Sequence, residues 1–391
     1  MEDKKDSVNR RDLDLLAEQH ETEEKVDFLR DILDEPRPLK VNLPEGGVFP
    51  QSKAWLDRLY DGDRMVREKK PGVIDHLRSA GPWMVSVDDE PLSVLDGMSQ
   101  TATLCAGFAE DRVVRAYYEG HFGDALMSSR DTSLESDPAA RKYADVLRSI
   151  LPGLDHVSFV NSGAEANEKA LALARTQVVS PEAKRVLAFR GSFHGRTLLP
   201  LHATWNPKKR EPYEFRGFEA EFAPLPGCDF RLVEQVMGDE SFLRAVAEGR
   251  LDAIETMGME DDPLFAAELE SLKMVHEHLG SGAFFVCIVE PMQSEGGESY
   301  ISGRFARALR LLTRYHGIPL IFDEVQTGFG LGGPFFWHQR FKLVDKEGKP
   351  ELPDAVTCSK RAQVGICISR FPDPEPTCVD AVSLVRGRIH A

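Results

Sequence analysis

From about residue 150 onward, short apolar runs alternate with longer amphipathic stretches along the chain. Runs such as AFFVCIVE and IPLIFDEV are apolar almost throughout, which is typical of strands buried on both faces of a sheet. Between them, GRFARALRLLTRYHG has the apolar spacing of a helix and ends with Gly317 as a helix stop. The alternation predicts an α/β fold with a mainly parallel sheet and helices on both faces.

The predicted elements share one order, in which each apolar run is followed by small or polar residues. The predicted strands are DHVSFV, RVLAFR, AFFVCIVE, IPLIFDEV, DAVTCS and GICIS, and AEANEKALALARTQ is a further predicted helix. Residues 1–80 do not follow this order. Residues 1–35 have a polar, helix-like pattern and a Pro- and Gly-rich segment follows, so we predict an N-terminal extension and linker there.

Composition narrows the class of protein. The 391 residues are 42% hydrophobic, enough for a large core and about two domains. The net charge of −16 argues against a nucleic-acid partner, and no apolar run approaches the ~20 residues of a membrane span. The six cysteines are scattered without a C-x-x-C pair, and the N-terminus has no signal-peptide pattern. We therefore expect a cytoplasmic protein without membrane partners.

Ligands of parallel sheets collect at the carboxyl ends of the strands, so the residues after each predicted strand are candidate site residues. After DHVSFV, Ser162 and Gly163 precede a helix that begins near Ala164, an arrangement that suits a phosphate but also an ordinary capped helix. After RVLAFR come Phe193, which can cover a planar ligand, and Arg196, which can grip a carboxylate. An ordinary turn with a core phenylalanine and a solvated arginine is the alternative.

Acidic residues follow the next two strands. Glu295 lies in a Gly-rich loop after AFFVCIVE, where a simply solvated carboxylate is the alternative. In IPLIFDEV, Asp323 follows the apolar residues of the strand, as in the Walker B strand of nucleoside triphosphatases. The chain has no G-x-x-x-x-G-K-[ST] loop, however. The zinc motif H-E-x-x-H, the serine-hydrolase motif G-x-S-x-G and a helix-opening G-x-G-x-x-G are absent as well, and no metal site is expected. A buried Asp323 requires a partner, and a cationic ligand nitrogen would serve.

Lys360 follows DAVTCS and completes the set. In an apolar crevice its pKa falls and its amine can form a Schiff base with a carbonyl, although a single lysine is more often a surface residue. Together the five strand ends require one ligand with a phosphate, a flat ring, a protonated ring nitrogen and an aldehyde. Pyridoxal 5'-phosphate has all four features.

The motifs NSGAEANEKAL, SFHGRT, VEPMQSEGG, IFDEVQTGFG and TCSK together resemble those of the class III, or ω-, aminotransferases of pyridoxal phosphate (PLP) fold type I, in the same order. SFHGRT and EPMQSEGG look most like 4-aminobutyrate aminotransferases, and SKRAQVG is similar to lysine 6-aminotransferases. The resemblance implies a seven-stranded sheet in a large PLP-binding domain over residues 126–391. It also implies that residues 81–125 are the N-terminal part of a small α+β domain.

The resemblance further implies the roles of individual residues. Lys360 would carry the cofactor as a Schiff base and move protons as acid and base, and Asp323 would keep the ring nitrogen protonated. Arg196 would bind the donor's distal carboxylate, and Glu295 would pair with an arginine of the C-terminal domain until a 2-oxo dicarboxylate binds. The implied cofactor-binding residues are Ser162, Gly163, Ala164, Phe193, His194, Asp323, Gln326 and Lys360.

The implied function is transfer of a terminal amino group from an ω-amino acid, resembling 4-aminobutyrate or lysine, to a 2-oxo acid such as 2-oxoglutarate in a homodimer. An aminomutase or decarboxylase on the same scaffold is an alternative. VSLVRGRIHA resembles the family segment that precedes a threonine donated to the partner subunit, and the chain ends there. We therefore expect the C-terminal part of the small domain to be absent, and a catalytically inactive, truncated chain is a further alternative.

Overall fold

The computed structural model describes residues 51–54, 56–57, 73–120, 138–214, 217–257 and 262–374. The helix predicted within residues 1–35 and the segment VSLVRGRIHA lie outside these ranges. The chain divides into two compact units, residues 1–122 and residues 123–391. The assignment of residues 81–125 to a small domain stays a prediction.

In the first unit, residues 51–54 and 56–57 are helical, and two short antiparallel strands and two further helices follow. They are β1 (Trp83–Val85), β2 (Ser93–Leu95), α1 (Ser99–Ala102) and α2 (Asp111–Tyr118). Residues 99–102 have positive φ angles, so α1 is a single left-handed turn rather than a regular helix.

The second unit contains the elements that the apolar pattern predicts. Its strands are β3 (His156–Val160), β4 (Arg185–Phe189), β5 (Glu219–Ala223), β6 (Phe284–Val289), β7 (Met292–Gln293), β8 (Ser299–Tyr300), β9 (Leu320–Asp323), β10 (Ala355–Cys358) and β11 (Gly365–Ser369). Its helices are α3 (Pro138–Ile150), α4 (Gly163–Thr176), α5 (Leu198–His202), α6 (Pro207–Arg210), α7 (Glu240–Ala247), α8 (Pro263–Gly280) and α9 (Gly303–His316). Among the helices described, none is long and apolar enough to cross a membrane.

Seven strands form one sheet in the order β3-β11-β10-β9-β6-β4-β5. β11 is antiparallel to both of its neighbours, and the remaining pairs of neighbours are parallel. Because β3 and β10 both oppose β11, they point the same way as the rest. The predicted fold type I sheet is therefore confirmed, and six strands share one carboxyl edge.

Both faces of this sheet are covered, as the unbroken apolar strands predict. On β6, Cys287 and Val289 pack with helices α7, α8 and α9, whereas Val286 and Ile288 pack on the α4 side. This alternation follows from the two-residue period of a strand. The central strands are thus covered on both faces, and their carboxyl ends are where a ligand can reach them.

Buried ion pairs tie helix α9 to the opposite edge of the sheet. Arg310 is fully buried and donates to Asp354 at 2.6 Å, and the same carboxylate accepts the backbone N–H of Leu320 at 2.8 Å. These contacts fix the starts of β9 and β10 relative to each other. The ends of the same two strands carry Asp323 and the segment leading to Lys360.

Candidate active site

Lys360 and Gln326 meet at the carboxyl edge of the sheet. The Lys360 Nζ donates to Gln326 Oε1 at 2.8 Å, and Gln326 Nε2 donates to Ser294 Oγ at 2.6 Å. The backbone N–H of Lys360 also bonds to the carbonyl oxygen of Val325 at 3.2 Å. These bonds hold the lysine, which follows β10, against the loop that follows β9.

The environment of Lys360 shifts the ionisation of its side chain towards the neutral amine. Partial burial lowers the pKa of Lys360 below its usual value, while the carboxylates of Asp323, Glu295 and Glu290 act in the opposite direction. Desolvation is the largest of these effects. The amine is thus closer to a nucleophilic, unprotonated state than a surface lysine would be.

Asp323 is almost fully buried and is held by three donors. Its Oδ2 accepts from Asn167 Nδ2 and lies next to His194 Nδ1, both at 2.7 Å. Its Oδ1 accepts the backbone N–H of Val325 at 3.0 Å. A carboxylate can accept about four hydrogen bonds, so Oδ1 keeps acceptor capacity for a further donor.

The loop after β4 brings Phe193 and His194 to the same place. The backbone N–H of Phe193 donates to Glu290 Oε2 at 3.0 Å, and burial raises the pKa of that carboxyl, with Asp323 adding to the effect. Gly195 has a φ of +138°, and a Cβ there would lie 2.7 Å from the Cβ of Ala164. A glycine is required for this loop to pack against the start of helix α4.

Helix α4 begins at the same edge. Ser162 is its N-cap, and the serine Oγ accepts the N–H of Glu165 at 3.2 Å. The N–H groups of Gly163 and Ala164 belong to the first turn and have no carbonyl partner within the helix. A Cβ on Gly163 would lie 2.5 Å from the side chain of Val325, so the turn packs closely on the loop after β9. The turn provides free donors and the positive end of a helix dipole.

Charged side chains form the exposed rim of the site. Arg196 is exposed, and within the described residues its side chain has no ion pair or hydrogen bond. The half-exposed carboxylate of Glu295 contacts the ammonium of Lys209, which also lies 4.8 Å from the ring centre of Phe193. In the described part of the chain, Glu295 and Arg196 do not pair with each other.

The predicted residues thus lie around the carboxyl ends of the strands. Lys360 is hydrogen-bonded to Gln326, and Asp323 contacts His194. The sequence analysis did not predict Asn167, Glu290 or Lys209 as site residues. A polar residue on the apolar face of a predicted helix is a signal that points to Asn167. The basic run that contains Lys209 is a weaker signal, because such runs are usually solvated.

A model of the aminotransferase class-III family matches residues 65–375. Among curated relatives, the 4-aminobutyrate aminotransferase of Schizosaccharomyces pombe is 28% identical over 80% of this chain and 65% of its own length. The acetylornithine aminotransferase of Methanothermobacter thermautotrophicus is 30% identical over 75% of this chain and 58% of its own length. The chain therefore spans less than two thirds of these relatives.

Solved structures agree on the fold. A lysine aminotransferase from M. tuberculosis superposes with a TM-score of 0.67 at 24% identity, covering 85% of this chain and 75% of the other. An omega-transaminase from Thermomicrobium roseum gives a TM-score of 0.65 at 21% identity, over 88% and 74% of the two chains. The family match, the relatives and the fold agree: the chain belongs to the class-III aminotransferases, whose cofactor is pyridoxal 5'-phosphate.

Proposed function

We propose that the protein is a transaminase that moves the terminal amino group of an ω-amino acid, such as 4-aminobutyrate or lysine, to a 2-oxo acid such as 2-oxoglutarate. One observation carries the proposal. Lys360, an amine of lowered pKa, follows β10, while the buried carboxylate of Asp323 ends the neighbouring parallel strand β9. An amine nucleophile beside a fixed negative charge is what PLP chemistry requires of its protein.

The residues present fit the cofactor. The first turn of α4, at Ser162, Gly163 and Ala164, offers unpaired N–H groups to a phosphate. Asp323 Oδ1 has acceptor capacity for a protonated ring nitrogen. Lys360 has the amine for the aldehyde.

Three more residues would contact the cofactor. Gln326, which already contacts Lys360, would bond the ring hydroxyl. Phe193 would stack on the ring. His194 would lie beside the ring through its contact with Asp323. The cofactor would therefore be held at its phosphate, at both edges of its ring and on one face.

When bound, PLP supplies an aldehyde that captures amines and a ring that accepts electrons. The chain's own groups do the rest. Lys360 Nζ would take the proton from the carbon that carries the donor's amino group, and its lowered pKa favours the basic form. Asp323, kept from water by burial, would hold the positive charge on the ring nitrogen.

Arg196 would bind the carboxylate of the donor, and Lys209 that of the acceptor. An exposed guanidinium with no partner in the described residues suits the distal carboxylate of a 4-aminobutyrate-like donor. Glu295 contacts Lys209 and would shield that positive charge during donor binding. When a 2-oxo dicarboxylate binds, Glu295 would move aside and free the cation for the second carboxylate.

The whole protein would work as a cytoplasmic homodimer. The family resemblance supports the homodimer, with small molecules as its other partners. Sedimentation of the purified protein tests the homodimer, and fractionation of the source cells tests the cytoplasmic location.

The proposal is tested by mixing the PLP-loaded protein with 4-aminobutyrate, lysine and butylamine, which lacks the carboxylate. We expect the bound cofactor to convert to its amine form, with 2-oxoglutarate restoring it and yielding glutamate. Arg196→Met should slow the reaction of 4-aminobutyrate roughly 10- to 100-fold, as for a lost charged hydrogen bond, and spare that of butylamine. Arg244→Met, an exposed arginine paired with Glu240, is the matched control.

The same experiment separates the alternatives. A protein that binds PLP but converts with no ω-amino donor would support the catalytically inactive alternative. Release of carbon dioxide, or an isomerised amino acid without glutamate, would indicate a decarboxylase or an aminomutase. Either outcome would refute the transaminase proposal.

A further inference from the structure

Asn167 links three parts of the site from a buried position on helix α4. It is 1% exposed, and its Nδ2 donates to the carbonyl oxygen of His194 and to Asp323 Oδ2, both at 2.7 Å. Its Oδ1 accepts from the hydroxyl of Thr357 on β10 at 2.6 Å. Three of the four hydrogen bonds that an amide side chain can make are therefore formed inside the protein.

The partners determine which way the amide of Asn167 faces. The carbonyl oxygen of His194 can only accept, so the amide nitrogen has to face it. The amide oxygen then faces Thr357, whose hydroxyl must donate. The carbonyl oxygen of His194 therefore fixes which end of the amide meets Asp323, and the Thr357 hydroxyl, which can donate or accept, fills the other end.

This orientation also locates the proton shared by Asp323 and His194. Oδ2 of Asp323 accepts from Asn167 Nδ2, and a hydrogen bond of this kind stabilises the ionised carboxylate over its protonated form. The proton in the 2.7 Å contact therefore lies on His194 Nδ1. His194 Nε2 is buried with no hydrogen-bond partner in the described part of the chain, so a second ring proton would have no acceptor.

We infer that Asn167, oriented by the backbone carbonyl of His194, is a positioning residue that keeps the proton on a neutral His194 and the negative charge on Asp323. Asn167 does not reach the ligand itself; it acts through Asp323. The charge remains available at Oδ1, the oxygen that carries one donor. The use of that charge for a cofactor ring nitrogen rests on the proposed function, whereas the position of the proton does not.

The test uses Asn167→Leu, which keeps much of the side-chain volume and removes the amide. In the cofactor-free protein, nitrogen NMR of labelled histidine should show His194 as the neutral Nδ1–H form in the wild type. In the variant the protonation of the His194 ring nitrogens should change, because Asp323 Oδ2 loses the donor that stabilises its charge. The dissociation constant for PLP should rise on the order of tenfold, as for a buried polar group left unpaired. Thr357→Val, which leaves the amide donor in place, should change both values far less, and Thr313→Val, which removes another buried hydroxyl, from helix α9, should change neither.

Two results would overturn the inference. One is a His194 ring whose protonation stays the same in Asn167→Leu, because the amide would then not hold the charge on Asp323. The other is a changed His194 ring with unchanged PLP affinity and absorption, which would make Asn167 a purely structural residue. If Asn167→Leu does not fold, Asn167→Asp replaces it, since a carboxylate beside Asp323 also removes the donor and should give the same changes. Absence of amino transfer in the wild type would refute the proposed function and leave the NMR result standing.

Discussion

Asp323 and Glu324 are consecutive residues, and each is buried with a histidine nitrogen 2.7 Å from one carboxylate oxygen. Asp323 contacts His194 from the loop after β4, and Glu324 contacts His338 from the short helix Trp337–Phe341. In both histidines the second ring nitrogen is buried without a partner in the described residues. By sequence position and by pairing alone, the two carboxylates look equivalent.

They differ in how many donors they accept. Glu324 Oε1 accepts the backbone N–H and the Nδ1 of His338, and Oε2 accepts the backbone N–H of Trp337 at 2.6 Å and the hydroxyl of Thr327 at 3.1 Å. All four acceptor positions are filled. Asp323 has three donors and an open position towards the site. A carboxylate with full pairing stabilises the fold, whereas one with a vacant position can bind a ligand.

The largest expected contrast between the two carboxylates comes from replacing each with its amide. Asp323→Asn should slow the conversion of bound cofactor by an amino donor roughly 100- to 1000-fold, since a fixed charge aimed at the ring is lost. Glu324→Gln should leave that rate unchanged in the folded protein. It should instead lower the free energy of unfolding by about 2–4 kcal/mol, because buried donors lose their acceptor. Single-turnover absorbance and urea unfolding provide the two measurements.

The comparison would fail in either of two ways. If Glu324→Gln slowed the chemistry as much as Asp323→Asn, the vacant acceptor position would not be what distinguishes the two residues. If Asp323→Asn mainly destabilised the protein, Asp323 would be a structural carboxylate like its neighbour.

A smaller effect on stability is expected from Lys360. Its amine interacts with the carboxylate of Asp323, and Glu324 is not among the carboxylates that shift its pKa. Burial lowers the pKa of Lys360, so the folded chain holds this proton less tightly than the unfolded chain does. In the cofactor-free protein, the charged lysine therefore destabilises the fold below its folded pKa. The cost disappears as the pH rises from the folded pKa towards the unfolded value of about 10.4.

Lys360→Met should accordingly be more stable than the wild type near neutral pH, by roughly 0.5 kcal/mol because water screens the half-buried amine. This advantage should shrink as the pH is raised to about 10. Urea unfolding of both cofactor-free proteins across this range gives the difference. An advantage that grows with pH would contradict the sign of the pKa shift, and Lys208→Met serves as the control for an exposed lysine.

The sequence predicts the part of the site that depends on strand ends. Asp323, Gln326 and Lys360 follow apolar runs that form neighbouring strands, so the sheet itself brings them together. Ser162 and Phe193 follow strands of the same direction. These positions could be derived because an apolar run, its end and the residue after it are local features of the chain.

The rest depends on contacts that no local pattern encodes. Asn167 and Asp323 are 156 positions apart, and their bond exists only once α4 packs on the sheet. The contact of Lys209 with Glu295 joins a long side chain of helix α6 to one in the loop between β7 and β8. Strand β5, EAEFA, was not predicted, because its edge position leaves charged residues such as Glu219 exposed and removes the apolar signal.

Reduction of the PLP-loaded protein with borohydride, followed by peptide mapping, tests the central claim most directly. The reduction fixes any imine as a stable pyridoxyl-lysine, so the labelled residue identifies the lysine that holds the cofactor. The account predicts one pyridoxyl group per chain, on Lys360, and no specific label after Lys360→Met. A label spread over surface lysines, or concentrated on Lys209, would contradict the claim that the ends of β9 and β10 form the cofactor site.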